Sequence, residues 1–586
     1  MARTIDTLPA YLRQYCIEHD PSKYTSRDHA AWRYIMRRAI PFFRKHAVQG
    51  YEEGLAATAL PIDRIPNIDD VDQALQNFGW GAVPVCGFIP PWAFLEFQAR
   101  SILPIATDMR SVDHIAYTPA PDIVHEAAGH APILPDKDYR EYLAYYAKLG
   151  TKAIYSKQDL NLYEAVRYLS DIKEKPESSK EQIAEAEKRL DAAVRSFTYV
   201  SEAAKVGRMS WWTAEYGLVG SLEQPKIYGA GLLSSVGESE QAMTSRVRKI
   251  PLSLACTEQG FNITEPQPQL YVAESMQHLH DVLHELDETL AYRIGGIAAL
   301  RKGQEAEAIT TAVLDSEIAV SGILSDFLVE QYEPIFLRYN GPVQLSYHEN
   351  QLSGHGPVRH PSGFSSPIGR WACLPEKSPH LISDQELKER CGIVTGKSVR
   401  LRMCSGVEVS GQVKSTLRQD GKLMMITFVD CTVTYNQQHL FEPHWGEFDM
   451  LVGEKVVSVY GGPADREQFG DLEIAKASTT PGRDSPYGPE EHQLFDLYQQ
   501  IRDLREDDQR ADRFEQTRNL SRLALDRHPS EWLLLLELFE LGQKHLGLAK
   551  DEHKWLDDLH DHLNKPGNVF TSDQRELIDH GLQVLS

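Results

Sequence analysis

The chain has 586 residues, of which 42% are hydrophobic and 25% charged, room for about four domains of ordinary size. That balance belongs to a folded chain and excludes a mainly disordered one, a collagen-like repeat and a small disulfide scaffold. Lys and Arg number 61 against 84 Asp and Glu, a net charge of −23; this is the phosphates' own sign, so neither nucleic acid nor an anionic membrane is an expected partner.

The sequence opens without the apolar core of a signal peptide. No charge-free apolar run reaches the roughly 18 residues of a membrane span. The densest, Trp532 to Phe539, is short and holds Glu537. The seven cysteines, Cys16, Cys86, Cys256, Cys373, Cys391, Cys404 and Cys431, form no CxxC pair. Reduced thiols and a cytoplasmic location are expected.

In chain order, the first unit, residues 1–300, reads as mainly helical. Trp32, Ile35, Met36, Ala39, Ile40 and Phe43 recur at spacings of three and four, which predicts a helix over 26–44. A second helix is expected over 69–78, and a short one after Pro119 and Pro121. A charged stretch from Glu174 and the amphipathic run through Phe197 predict an exposed helical insertion over about 174–206. A connecting helix is expected over 301–340 and a β-rich, barrel- or sandwich-like domain over 341–475. Its clearest strands are 398–403, 407–413 and 424–435, by period-2 alternation and β-branched content. Residues 476–489 read as a Ser/Thr/Pro/Gly linker, and 490–586 as a helical domain of five segments. The fold class is therefore multidomain: helical, then β-rich, then helical.

The strongest local feature is the run Asp122 to His130, with His125, Glu126 and His130 among small residues. Imidazole nitrogens suit Fe, Zn, Cu and Ni. The histidines are five apart, about 140° around an α-helix at ~100° per residue. Both reach one metal if the helix bends or ends between them, and Gly129 is placed to permit that. Glu215, among Trp211, Trp212 and Tyr216, is a carboxylate that would be costly to bury alone. Two His and one carboxylate form the donor set of non-haem Fe(II) oxygenases. The competing readings are a zinc hydrolase on the same three residues, or histidines that merely cap and pack while Glu215 pairs with an arginine.

The segment Tyr117 to His130 resembles the iron-binding signature of the pterin-dependent aromatic amino acid hydroxylases. So, in the family's order, do Ile65–Val71, Gly87–Leu95, Trp211–Leu218, Tyr228–Ser235 and Tyr271–Ser275, together covering roughly residues 20–295. The resemblance implies the hydroxylase fold for the first half. It implies His125, His130 and Glu215 as Fe(II) ligands, and Gly87, Phe88, Ile89, Phe94 and Glu126 around a tetrahydropterin such as tetrahydrobiopterin. It implies Arg110, Thr118, Trp211, Gly231, Ser234 and Ile263 on the side of a free aromatic amino acid, with O2 as co-substrate. Ser234 falls where the family has a serine bonded near the first iron histidine, and Asp122 reads as its neighbour or as a helix cap. Ile263 and Trp211 favour phenylalanine, giving tyrosine, over tyrosine or tryptophan.

The chain departs from the family at Pro104, where a histidine is usual, and at Ser210, where a tyrosine is common. The distance in sequence from His130 to Glu215 is about twice the usual one, which fits the helical insertion. Nothing beyond about residue 300 resembles a known module. The oligomeric state is left open, with self-association through the C-terminal region as one arrangement.

Overall fold

The computed structural model describes residues 3–585 apart from 86–88, 113–114, 116–121, 175–178, 264, 471–487, 508–510, 544–553 and 566–568. The expected site residues Gly87, Phe88 and Thr118, and most of the expected linker, lie outside the described residues.

The first long helix, α1 (Ser26–His46), starts at a capping box in which Thr25 and Asp28 satisfy each other's backbone N–H. It is buried nearly all round. Trp32, Ile35, Met36, Ala39 and Phe43 belong to the main core, and Arg33 and Tyr34 face the C-terminal helices. A parallel pair follows, β1 (Gly81–Val85) and β2 (Ile102–Ala106), joined through α2 (Pro91–Ala99). The departure Pro104 is a buried residue of β2, opposite Val83.

Two short segments are π-helical: π1 (Val124–His130) and π2 (Trp211–Glu215). Between them lie α3 (Lys137–Gly150), α4 (Lys157–Glu174), α5 (Lys180–Arg195) and α6 (Glu202–Ser210). Helices α4 and α5 pack on each other as a hairpin. The insertion thus begins earlier in the chain than its charge run suggested. A small sheet ordered β4-β3-β6-β5 follows, formed by β3 (Leu218–Gly220), β4 (Pro225–Ile227), β5 (Arg248–Pro251) and β6 (Gln269–Ala273). The short helix α7 (Ala230–Leu233) packs against π1.

The expected helix over 301–340 does not form. Helix α8 (Gly296–Glu305) stops, and β7 (Ile309–Leu314), β8 (Ile318–Glu330) and β9 (Glu333–Tyr347) follow at once. The first residues of β8 are buried on both faces, so their apolar run does not alternate, and periodicity cannot tell such a strand from a helix. These strands join β10 (Asn350–Gln351), β11 (Gly363–Pro367) and a later strand in one sheet ordered β10-β9-β8-β7-β17, with β11 beside β9. The second sheet is ordered β12-β13-β14-β15, with β16 beside β14. Its strands are β12 (Ser398–Arg402), β13 (Glu408–Gln419), β14 (Lys422–Tyr435), β15 (Gln438–Phe441) and β16 (Phe448–Leu451). The chain then returns to the first sheet as β17 (Val456–Gly461), on β7.

Cys373 and Cys391 are joined in a disulfide, contrary to the expectation of reduced thiols throughout. They are 18 residues apart in sequence and meet at the core of the second sheet. No spacing motif announces that encounter.

The C-terminal helices are α9 (Pro489–Glu506), α10 (Arg513–Arg527), α11 (Trp532–Gln543), α12 (Lys554–Leu563) and α13 (Ser572–Leu585). Their buried residues are continuous with the main core of the first half. Among the described residues, no helix is long and apolar enough to cross a membrane.

Candidate metal centre

Residues five apart do not share a face of an α-helix, yet His125 and His130 do meet. The reason is π1. Hydrogen bonding from i to i+5 stacks residues five apart, as i to i+4 stacks residues four apart in an α-helix. The helix widens, where the sequence had suggested a bend or an end. Gly129 has a different task from the expected hinge: a Cβ there would sit 2.6 Å from the Ala230 carbonyl oxygen, so glycine lets α7 approach π1.

Glu215 closes π2, whose wide turn is marked by the Tyr216 N–H donating to the Trp211 carbonyl at 2.9 Å. Its two oxygens reach one histidine each: His125 Nε2 lies 3.3 Å from Oε2, and His130 Nε2 lies 3.3 Å from Oε1. The His125 and His130 rings stand at 89° with centroids 5.2 Å apart. His130 is 1% exposed and neither ring nitrogen has a hydrogen-bond partner. A buried imidazole without a partner is unusual, and a metal would satisfy it. His125 and Glu215 are 16% and 18% exposed, so the centre is reached from their side.

The surroundings orient these groups. His125 Nδ1 lies 3.1 Å from Ser234 Oγ, and Ser234 Oγ donates to the Gly231 carbonyl at 3.2 Å. With the serine proton committed to that carbonyl, Nδ1–H is the donor to Oγ. The lone pair on Nε2 then faces Glu215 and a metal. Asp122 accepts the His125 N–H at 3.0 Å and holds Arg110 in a buried two-point pair, at 2.7 and 2.8 Å. It is thus both cap and anchor. Arg110 Nη1 also donates to the Ser234 carbonyl at 3.1 Å.

Glu215 supplies a negative charge at the centre, the sign that attracts a cation. Burial alone would raise Glu215, but His130 and His125 outweigh it and hold this carboxyl well below the usual range. Burial likewise opposes Asp122, and Arg110 together with two backbone N–H groups keeps it low. Glu126 is different. Burial pushes it up to about 8, with His130 opposing and Glu215 adding. Its Oε2 lies 3.9 Å from His130 Nε2 and has no hydrogen-bond partner. A cation at the centre would pull it back down.

Of the remaining expected residues, Trp211 stacks on Tyr216 with centroids 4.6 Å apart and on Phe261 at 4.1 Å and 7°. Tyr216 and Phe261, which the sequence did not single out, thus flank the Trp211 ring, and Phe261 lies only two positions before Ile263. Ile263 itself is 45% exposed on its loop. Gly231 is held close to the centre: a Cβ there would meet the Tyr216 ring at 2.9 Å and the Glu215 carbonyl at 3.0 Å. Phe94 is half-buried on α2, and Ile89 packs with Leu12, Trp92 and Phe97 in a separate small core. The departure Ser210 has a partner in Tyr146 of α3, a buried phenol that also feels the charge of Glu215.

The family model for biopterin-dependent aromatic amino acid hydroxylases matches residues 15–158 and 191–298. The interruption falls on the α4–α5 hairpin. The chain is 29% identical over 264 residues to the phenylalanine-4-hydroxylase of Pseudomonas aeruginosa, covering 45% of this chain and 80% of that enzyme. It is 28% identical over 272 residues to that of Vibrio cholerae, covering 46% and 76%. A solved structure of Chromobacterium violaceum phenylalanine hydroxylase, with bound iron(III) and 7,8-dihydrobiopterin, is 23% identical; it covers 47% of this chain and 85% of that one, with a TM-score of 0.37. With its motifs in order and the interruption falling on one helical hairpin, the N-terminal half of this chain is similar, over residues 15–158 and 191–298, to the biopterin-dependent aromatic amino acid hydroxylases.

Proposed function

We propose that the N-terminal half hydroxylates the ring of a free aromatic amino acid, converting L-phenylalanine to L-tyrosine with Fe(II), a tetrahydropterin and O2. The observation that carries this reading is the convergence of His125, His130 and Glu215, each imidazole 3.3 Å from a different carboxylate oxygen. Iron(II) held there, with a reduced pterin as two-electron donor, supplies the activation of O2 that ring hydroxylation needs.

The chain's own part is to bind, orient and exclude water. Ser234 fixes the His125 tautomer, so that Nε2 faces the metal. Three of the five Arg110 donors are engaged by Asp122 and the Ser234 carbonyl. One N–H on each terminal nitrogen is left for the carboxylate of the amino acid, which suits a guanidinium fork. The stacked Trp211, Tyr216 and Phe261 rings form an apolar wall for an aromatic side chain. Glu126, buried and with its Oε2 lacking a hydrogen-bond partner, is placed to bond a bound heterocycle directly or through water. Phenylalanine as substrate is supported by the relatives' names and by Ile263, which offers nothing to a phenol hydroxyl.

The test is to load the full chain with Fe(II) and supply tetrahydropterin, O2 and phenylalanine, tyrosine or tryptophan in turn, identifying products by mass and retention. Tyrosine from phenylalanine is expected. Product from only another amino acid would overturn the substrate, and no hydroxylated product from any of the three would overturn the activity.

A further inference from the structure

A second group of residues able to ligate a metal lies far along the chain from the first, in the β-rich region. His355 and His360 sit in the loop between β10 and β11, and Asp449 is on β16. The loop is pinned to β9 at both histidines: Leu345 N–H donates to the His355 carbonyl at 2.8 Å, and Val343 N–H to the His360 carbonyl at 2.9 Å. The two rings stack at 25° with centroids 5.7 Å apart. His355 Nδ1 lies 3.8 Å from Asp449 Oδ2, and His360 Nε2 lies 3.9 Å from the same oxygen. Both nitrogens are buried and neither has a hydrogen-bond partner. The side chains are 14%, 10% and 2% exposed for His355, His360 and Asp449.

We propose that His355, His360 and Asp449 bind a divalent first-row transition metal, with Zn2+ as the fitting probe, and that this ion ties the β10–β11 loop of the first sheet to β16 of the second. Two imidazole nitrogens and a carboxylate oxygen are ordinary zinc donors, with the fourth position left to water. Bonds of about 2.0–2.1 Å set tetrahedral donor edges near 3.4 Å, so closure by roughly half an ångström at each histidine completes the site.

The surrounding polar groups allow this. Asp449 Oδ1 accepts from Thr427 Oγ1 at 2.7 Å, which fixes the carboxylate. Arg359 Nε donates to Oδ2 at 2.9 Å and its Nη2 lies 2.8 Å from the same oxygen, so the guanidinium competes with a metal for it through both nitrogens. Arg359 is one-third exposed, however, and its Nη2 already reaches Glu447 at 3.1 Å. It can rotate onto Glu447 when a cation takes Oδ2. With neutral imidazoles, Arg359 and Lys414 balance Asp449 and Glu447, so a bound cation is not opposed by a net positive charge.

The experiment uses the full chain, stripped with chelator, incubated with Zn2+, desalted and assayed for zinc by mass spectrometry. The His125→Ala/His130→Ala variant removes the first centre and is expected to retain one equivalent. Adding His355→Gln and His360→Gln to it should remove that equivalent. Equal zinc content in the two variants overturns the proposal, whatever the fate of the hydroxylase reading. Should the fourfold variant misfold, the His125→Ala/His130→Ala protein alone decides: its thermal midpoint is expected to rise with Zn2+, and an unchanged midpoint and no retained zinc overturn the proposal.

Discussion

At the scale of single residues, the candidate metal centre depends on groups outside its three donors. Ser234 has one proton, and the Gly231 carbonyl takes it, so the serine acts on His125 only as an acceptor. Ser234→Ala should lower iron affinity about 10–100-fold, as losses of such orienting partners do, while leaving the fold intact. Iron titration of the variant checks this, and unchanged affinity would reject the assigned tautomer. Arg110 illustrates a conflict of roles. A guanidinium aligned with a substrate carboxylate suggests a variant that merely binds substrate less well. Its buried pairing with Asp122 means that Arg110→Ala also strands a carboxylate. Destabilisation of about 3–5 kcal/mol is therefore expected, read from denaturant unfolding. A stable variant with only a raised KM would show that Asp122 finds another partner.

At the scale of elements, the two π-helices are the decisive local structures. A continuous α-helix would set His125 and His130 about 140° apart at ~100° per residue; in the π-helix their rings face one carboxylate. The register of π1 against α7 is held by the missing side chain at Gly129. Gly129→Ala forces the Ala230 carbonyl away, and Ala230 begins the helix that leads to Ser234. An overpacking cost of about 1–3 kcal/mol is expected, together with weaker iron binding because Ser234 shifts. A thermal melt and an iron titration measure both. Wild-type iron affinity would mean that the contact is slack. The β-rich region shows the limit of reading patterns: β7 and the first residues of β8 lack clean alternation, because both their faces are covered.

At the scale of the whole molecule, the C-terminal helices are part of the first half's core. Helix α1 is clamped between them and the rest of the first half's core. Trp532 packs edge-on against Tyr34 at 5.1 Å, and the Tyr34 hydroxyl donates to the Leu577 carbonyl at 2.7 Å. A buried ionic cluster joins Arg33 and Arg37 of α1 and Arg505 of α9 to Glu537 and Glu540 of α11. Asp63 adds a third carboxylate on Arg37, which balances the three arginines. Burial alone would raise Glu537, but Arg33 and Arg505 hold it down to about 2. An unfolded glutamate titrates near about 4.3, so the unfolded state binds the proton first. The stabilisation is complete above that value and is lost as pH falls from there toward 2. Glu537→Ala, which leaves Arg33 and Arg505 buried and short of a partner, should cost about 3–5 kcal/mol. It should also flatten the stability-versus-pH curve below about 4.3. Denaturant unfolding of both proteins across that window checks it; parallel curves would remove Glu537 from the acid response.

What the sequence determined by itself was chemical identity: donor types, their order along the chain, the helical character of both ends and the strands expected at 398–403, 407–413 and 424–435, which fold as 398–402, 408–419 and 422–435. These follow from residue type and short-range spacing, which one chain displays directly. Tertiary structure alone decided that His125 and His130 converge through a widened helix, that Asp122 occupies Arg110, and that Cys373 meets Cys391. It alone decided that the C-terminal helices complete the core around α1. Each is a contact between residues whose partner is set by packing of distant segments, and no local period encodes it. The run Trp532 to Leu541 carries the clearest trace of that difference. In sequence it is an apolar stretch interrupted by Glu537 and Glu540; in the fold it is a helix buried on every side, whose two glutamates meet the arginines of α1 and α9.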